Sequence, residues 1–165
     1  MKKLLLFVLL TSFSFGYGQN LSLSQLMSLR TMPLDDTETY LTQRGWSYKD
    51  GEEETEENLG YINFIYGSNG SFEYAESFLT KIFSSYRGDR ITIQVGTRTK
   101  YLEYLNAVKS FNPRLIFSGP EDGNLVKTYQ GATTTFKFIT ATTNTYTGND
   151  KTNWLLIIYS NEDFY

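Results

Sequence analysis

The chain has no cysteine and no histidine among its 165 residues. Those absences exclude the Ser-His-Asp triad, the Cys-His dyad, thiol redox chemistry and the ordinary zinc site. Disulfides are excluded too, so packing alone must hold the fold. A Gly-rich phosphate loop, a Walker lysine, a dinucleotide fingerprint and a Ser-x-x-Lys pair are all missing, and neither cofactor nor metal site is expected. Basic runs are equally scarce: no more than two Lys or Arg residues stand side by side, and the net charge is −3. Nucleic-acid affinity comes mainly from phosphate neutralisation, so no nucleic-acid partner is expected. Long apolar runs are missing as well. Leu4 to Leu10 spans seven residues, well short of the ~20 that cross a bilayer.

That short run has a recognisable setting. Met1-Lys2-Lys3 precedes it, and Thr11 to Gly18 follows with small and polar residues ending in Gly16-Tyr17-Gly18. Charged start, apolar stretch and small residues before a cleavage point form the pattern of a bacterial secretory signal. The expectation is a leader over residues 1–18, one domain over 19–165, export to the periplasm or beyond, and no membrane insertion after cleavage. Losing Lys2 and Lys3 would take the charge from −3 to −5. The domain is rich in rings, the chain holding 13 Tyr, 12 Phe and 2 Trp, and each buried ring removes roughly 150–250 Å² from water.

The pattern along the domain predicts helices, then strands, twice. Ser22 or Ser24 can cap a helix carrying Leu26, Met27 and Leu29. Pro33 suits the first turn of a second helix, with Asp35, Asp36 and Glu38 near its positive end and Gly45 closing it. Strands are expected from Trp46 onward, with Leu59 to Tyr66 rich in β-branched and aromatic residues and a turn at Gly67 to Gly70. Phe72 to Ser85 fits a helical face and a strand alike; the flanking turns favour a strand. Ile91, Ile93 and Val95 alternate with Thr92 and Gln94 as a strand should. Thr97 or Thr99 opens a third helix, striped by Tyr101, Tyr104, Leu105, Val108 and Phe111, that Asn112-Pro113 ends. Strands follow at Arg114–Ser118, Asn124–Gln130, Thr134–Thr142 and Thr152–Ser160, with turns at Gly119–Gly123 and Gly148–Asp150.

The two stretches run in parallel. Thr39–Thr42 leading to Gly45-Trp46 matches Glu103–Asn106 leading to Ser110-Phe111, and each half ends on an aliphatic strand, Ile91–Val95 or Trp154–Tyr159. This predicts an α+β domain: a mainly antiparallel sheet of about seven or eight strands, helices on one face, and two tandem halves at 19–97 and 98–165. The element order resembles the tandem helix-plus-four-strand plan of β-lactamase inhibitory protein and its structural relatives, which are exported binding proteins. That resemblance implies the same fold plan and carries no site residue, since the paired disulfides of that inhibitor have no counterpart here. The texture of Gly96–Phe111 and Leu125–Gly131 is also similar to small exported bacterial proteins of unknown function.

Several local features suggest chemistry, each beside a plainer alternative. Paired carboxylates suffice for glycoside hydrolysis, and Glu73, Glu76 and Glu103 are candidates; they equally suit solvated faces. Asp50 to Glu57 holds six acids in eight residues. Calcium capture is one reading, but the spacing departs from the calcium-loop pattern, and a self-repelling surface loop is the other. Arg87-Gly88-Asp89 spells an adhesion tripeptide and also reads as a tight turn. Thr133 to Thr147 holds eight threonines, and Thr143, Thr145 and Thr147 alternate onto one strand face. With Tyr129 and Tyr146 they are the candidate binding surface, on an open sheet face expected to be polar with Thr and Tyr. Tyr61, Tyr66, Tyr74 and Tyr159 are candidates for the same face or for the core. The function expected is a non-catalytic binding module of the cell envelope, its partner a protein or an envelope polysaccharide. A small carboxylate-dependent glycan hydrolase and a structural accessory protein are the alternatives.

Overall fold

A computed structural model describes residues 21–67, 75–143 and 151–164. The first helix, α1 (Leu23–Thr31), starts from a reciprocal cap. The Gln25 N–H donates to Ser22 Oγ at 3.3 Å, and the Ser22 N–H donates to Gln25 Oε1 at 2.7 Å, so two otherwise orphaned donors are satisfied together. Pro33 precedes α2 (Leu34–Thr42), whose first turn carries Asp35 and Asp36. Gly45 ends this segment at φ 80°, a left-handed conformation that glycine adopts without a Cβ clash. Trp46 then folds in against Tyr66, ring centroids 5.3 Å apart. Thr97 caps α3 (Arg98–Ser110) by accepting from the Lys100 N–H.

Eight strands make one sheet: β1 (Trp46–Glu52), β2 (Gly60–Tyr66), β3 (Ser77–Phe83), β4 (Arg90–Val95), β5 (Arg114–Glu121), β6 (Asn124–Gln130), β7 (Thr134–Thr143) and β8 (Lys151–Ser160). Their order is β1-β2-β3-β4-β8-β7-β6-β5, and every pairing is antiparallel. The sheet is therefore two four-strand meanders joined through their last strands. Ile91 lies opposite Ile158 and Ile93 opposite Leu156 at that seam. The fold is α+β with a mainly antiparallel sheet.

Three boundaries differ from the sequence pattern by more than a residue or so. The ambiguous stretch is a strand over Ser77–Phe83, while 72–74 lie outside the described residues. The acidic run is split, since β1 continues to Glu52 and pairs Asp50 with Asn63 and Glu52 with Tyr61. The expected Gly119–Gly123 turn is shorter: β5 reaches Glu121. Only Asp122 (φ 50°) and Gly123 (φ 79°) turn the chain, two positive φ values in sequence, as the tightest hairpins require.

Partners across an antiparallel ladder share a face and neighbours along a strand alternate, so the register assigns each face. Toward the helices point Phe64, Leu79, Ile91, Ile93, Val95, Leu156, Ile158, Phe136, Phe138 and Tyr129. They form one buried cluster with Leu26, Leu29, Leu41, Tyr104, Leu105 and Val108. Helices and core therefore occupy one side of the sheet. The other face carries the Thr and Tyr expected of it, among them Tyr61, Thr80, Thr92, Thr128, Thr135 and Tyr159, beside one row that is not polar. Its upper row crosses the sheet as Ile65, Phe78, Gln94, Leu155, Ile139 and Val126, and is largely apolar. The seam strand β8 is apolar on both faces, with Leu155 and Ile157 opposite in direction to Leu156 and Ile158, so its composition could not tell a covered face from an open one.

Candidate functional site

Below that apolar row the open face becomes polar, and its charges separate by sign. The next row runs Asp50, Asn63, Thr80, Thr92, Ile157, Lys137, Thr128 and Phe117 from β1 to β5. At its β1 end the groups are chained: Asn63 donates to Asp50 at 2.6 Å and Thr80 donates to Asn63 at 2.6 Å. The Asn63 hydrogen bond, with Lys49 beside it, holds the Asp50 carboxyl below its ordinary pKa. Acids thus gather on β1. The cations Arg90, Lys137 and Arg114 lie on β4, β7 and β5, toward the other edge.

There the face forms a groove of about 360 Å³. Its floor is Thr128, Lys137 and Tyr159, with Gln130 at one end, and its wall is β5, which supplies Arg114, Ile116, Phe117 and Glu121. A register shift between Leu115 and Phe117 makes the wall. Such a bulge bends and twists its strand. Phe117 remains 42% exposed, a ring offered to solvent beside the groove. Lys137 Nζ meets Glu121 Oε2 at 2.6 Å, and Arg114 donates to Gln130 Oε1 at 2.8 Å. Each cation is thus held in place, and among the described residues each keeps N–H donors beyond that contact.

Tyr159 is a buried member of the floor. Its pKa is raised, chiefly by burial; the nearby Arg90 charge opposes that rise and Glu121 adds to it. The Arg90 guanidinium carbon lies 5.5 Å from the ring centroid, within cation–π range. Arg90 Nε is buried without a hydrogen-bond partner among the described residues, an unusual state for a charged donor. Below the groove, Asn161 ties the β6–β7 turn down by donating to the Gly131 and Ala132 carbonyls at 3.1 Å and accepting from Thr135 Oγ1 at 2.8 Å.

No protein family, curated protein or solved structure matches this chain. The site has to be judged from its own chemistry.

The residues singled out in the sequence fare unequally. Tyr129, expected on the open surface, faces the helices instead; it is 7% exposed and meets Phe138 edge-on at 6.0 Å. Its partner Phe136 on β7 fixes that side, because opposite residues share a face. Thr143 ends β7 and its side chain is outside the described atoms. Thr145, Tyr146 and Thr147 lie outside the described residues, as do Glu73 and Tyr74. Glu76 is exposed just before β3, and Glu103 is exposed on α3, paired with Lys100 at 2.8 Å. Among the described residues neither sits in the groove, whose single carboxylate is Glu121.

Two acids of the acidic run, Asp50 and Glu54, are engaged by side chains or backbone of other strands and loops. Glu54 accepts from Ser84 Oγ at 2.6 Å and from the Ser85 N–H at 2.8 Å, which hold its carboxyl below its ordinary pKa. Among the described residues, no group of three or more acids is arranged to hold a metal ion. Within Arg87-Gly88-Asp89, the Asp89 carboxylate turns inward to Lys81 at 3.2 Å, and the Gly88 N–H donates to Asp163 at 3.0 Å. An adhesion tripeptide must present its acid outward, so this segment is a tethered turn.

Of the residues that do converge, Arg114, Phe117, Lys137 and Tyr159, only Tyr159 is a surface candidate in the sequence. They come from three strands, and the β5 bulge that gathers them depends on pairing with β6. Strand assignment marks Arg114 as a strand start, and Tyr159 is one of the rings that are candidates for the open face or the core.

Proposed function

We propose that the chain is an exported, non-catalytic binding module of the cell envelope, and that the open sheet face around Phe117 is its contact surface. The observation that carries this is the groove itself. A ring 42% exposed stands beside two cations fixed by hydrogen-bonded neighbours, which is what a preorganised recognition site provides. Hydrolysis of a glycan by two carboxylates needs a second acid facing the first, and Glu121 is the groove's own acid, engaged by Lys137. Export rests on the leader pattern of residues 1–18. Among the described residues the buried core starts with Leu21, and Tyr104 OH donates to its carbonyl at 2.8 Å.

The test is co-sedimentation of purified protein with isolated envelopes of the producing cell. The expected result is that wild type sediments and Phe117→Ser stays in the supernatant. If wild type and variant partition alike, the open face is not the contact surface and the proposal falls. N-terminal sequencing of the protein recovered from that cell should begin at Gln19; an intact Met1 would remove the export part.

A further inference from the structure

We infer that the groove takes a carboxylated sugar, a uronate-type unit of an acidic glycan; this rests on the open face being the binding surface. The chain as a whole is acidic, with net charge −3, yet this part of its open face is basic. Arg114 and Lys137 line the groove with Glu121 as the one acid, and Arg90 stands 5.5 Å from the Tyr159 ring that forms the floor. A site of that sign on an acidic protein selects an anion. Arg114 sits at the mouth on an edge strand, so its planar fork can meet a carboxylate along two parallel N–H bonds.

The neutral groups narrow the class further. Phe117 offers the flat apolar face on which a pyranose ring stacks its C–H side. Thr128 and Gln130 offer hydroxyl and amide groups, which donate to and accept from sugar hydroxyls. A bare inorganic anion could accept from Thr128 and Gln130 but would leave the Phe117 ring unused. The cavity of about 360 Å³ falls within the range of small-ligand sites, roughly 300–1,000 Å³, and its open side lets a chain continue past it. Glu121 then has a definite role: it holds Lys137 in the free protein and competes with the ligand carboxylate for it.

The test is calorimetric titration of the full domain with trigalacturonate and with the same trisaccharide after its carboxyls are reduced to alcohols. The acid should bind, and the reduced form should bind at least about tenfold more weakly, the usual worth of a hydrogen-bonded charge. Lys137→Met should weaken acid binding about tenfold, whereas Glu121→Gln should strengthen it. A loss of folding cannot produce those opposite signs. Equal affinity for the two trisaccharides overturns the carboxylate and leaves a neutral-glycan surface. Binding of neither, by protein that still sediments with envelopes, overturns the sugar and leaves the binding module with another partner. Failure of both experiments removes the module reading as well.

Discussion

Lys81 and Asp89 meet at 3.2 Å beneath the last turn of α1, with the lysine side chain 1% exposed. The same ammonium donates to the carbonyls of Leu29 at 3.0 Å, Arg30 at 3.2 Å and Met32. A lysine rooted in β3 therefore caps a helix packed over the sheet. The final carbonyls of a helix lack intrahelical donors, and a cation there also suits the helix dipole.

Lys81→Met should remove that cap and leave Asp89 without its partner, at a cost of roughly 3 kcal/mol, the usual scale for breaking a buried charged contact. Burial lowers the Lys81 pKa from 10.5, opposed by Asp89. The folded state thus releases this proton at lower pH than the unfolded chain does. Between the two pKa values the unfolded chain binds more protons, so the lysine's contribution grows as pH rises toward 10.5. Denaturant titrations of wild type and Lys81→Met should show a stability gap that widens through that window. Tyr61 and Tyr159, whose pKa values are raised mainly by burial, cancel in the difference. A gap that narrows would contradict the assignment.

Glu54 gives the opposite dependence. Its pKa is depressed below 4.5 by the Ser84 and Ser85 hydrogen bonds, so its contribution is present above pH 4.5 and is lost as pH falls through the lowered value. Wild type should therefore melt above Glu54→Gln at neutral pH, and the two melting curves should converge as pH falls through the lowered pKa. Parallel curves across the whole range would show that the loop-to-loop tie is inert.

Two glycines should respond to alanine for different reasons. A Cβ on Gly96 would stand 2.5 Å from the Glu76 backbone oxygen, so Gly96→Ala should cost about 2 kcal/mol through displaced main chain. Gly123 has nothing within 4 Å but sits at φ 79°, and Gly123→Ala should cost about 1 kcal/mol through conformation alone. Gly119→Ala, touching only the tip of the Phe117 ring at 3.6 Å, should be neutral or stabilising by about 0.5 kcal/mol. Urea midpoints rank the three, and a costly Gly119→Ala would refute this account of the β5 wall.

The start of the fold can be located by truncation. Removing residues 1–18 should leave the melting temperature unchanged if they are a leader; the first core residue among those described is Leu21, which is fully buried. Removing residues 1–24 deletes Leu21 and Leu23 from the core and leaves Tyr104 OH without the Leu21 carbonyl. That loss should be about 4 kcal/mol or more. Equal melting of the two truncations would place the true start of the fold later.

Much of the scaffold is legible in the residues because its signals are local. Ser22 with Gln25 caps α1, Gly45 ends the α2 segment, Thr97 caps α3, and Asn124–Gln130 is a strand with the bounds its pattern gives. Capping and alternation act over a few residues, so one stretch of chain suffices to show them. Tyr129 marks the limit. An aromatic in an alternating strand belongs to one face or the other, and a single bulge or a one-residue slip exchanges them. Lys81 is a stronger case: lysine is seldom buried, and only the arrival of α1 over β3 adds three carbonyl partners to the Asp89 carboxylate at its ammonium.

Composition and local pattern thus determined the chemistry this chain cannot perform, its α+β character, and a helix-then-strands order occurring twice, because these follow from residue types and near-neighbour geometry. The pairing of β4 with β8, the side of the sheet the helices cover, the apolar row left on the other face, and the groove of Arg114, Phe117, Lys137 and Tyr159 were decided by the tertiary structure. Each joins residues far apart in sequence, and such contacts are selected by which surfaces bury most apolar area together, a property of the assembled sheet rather than of any segment.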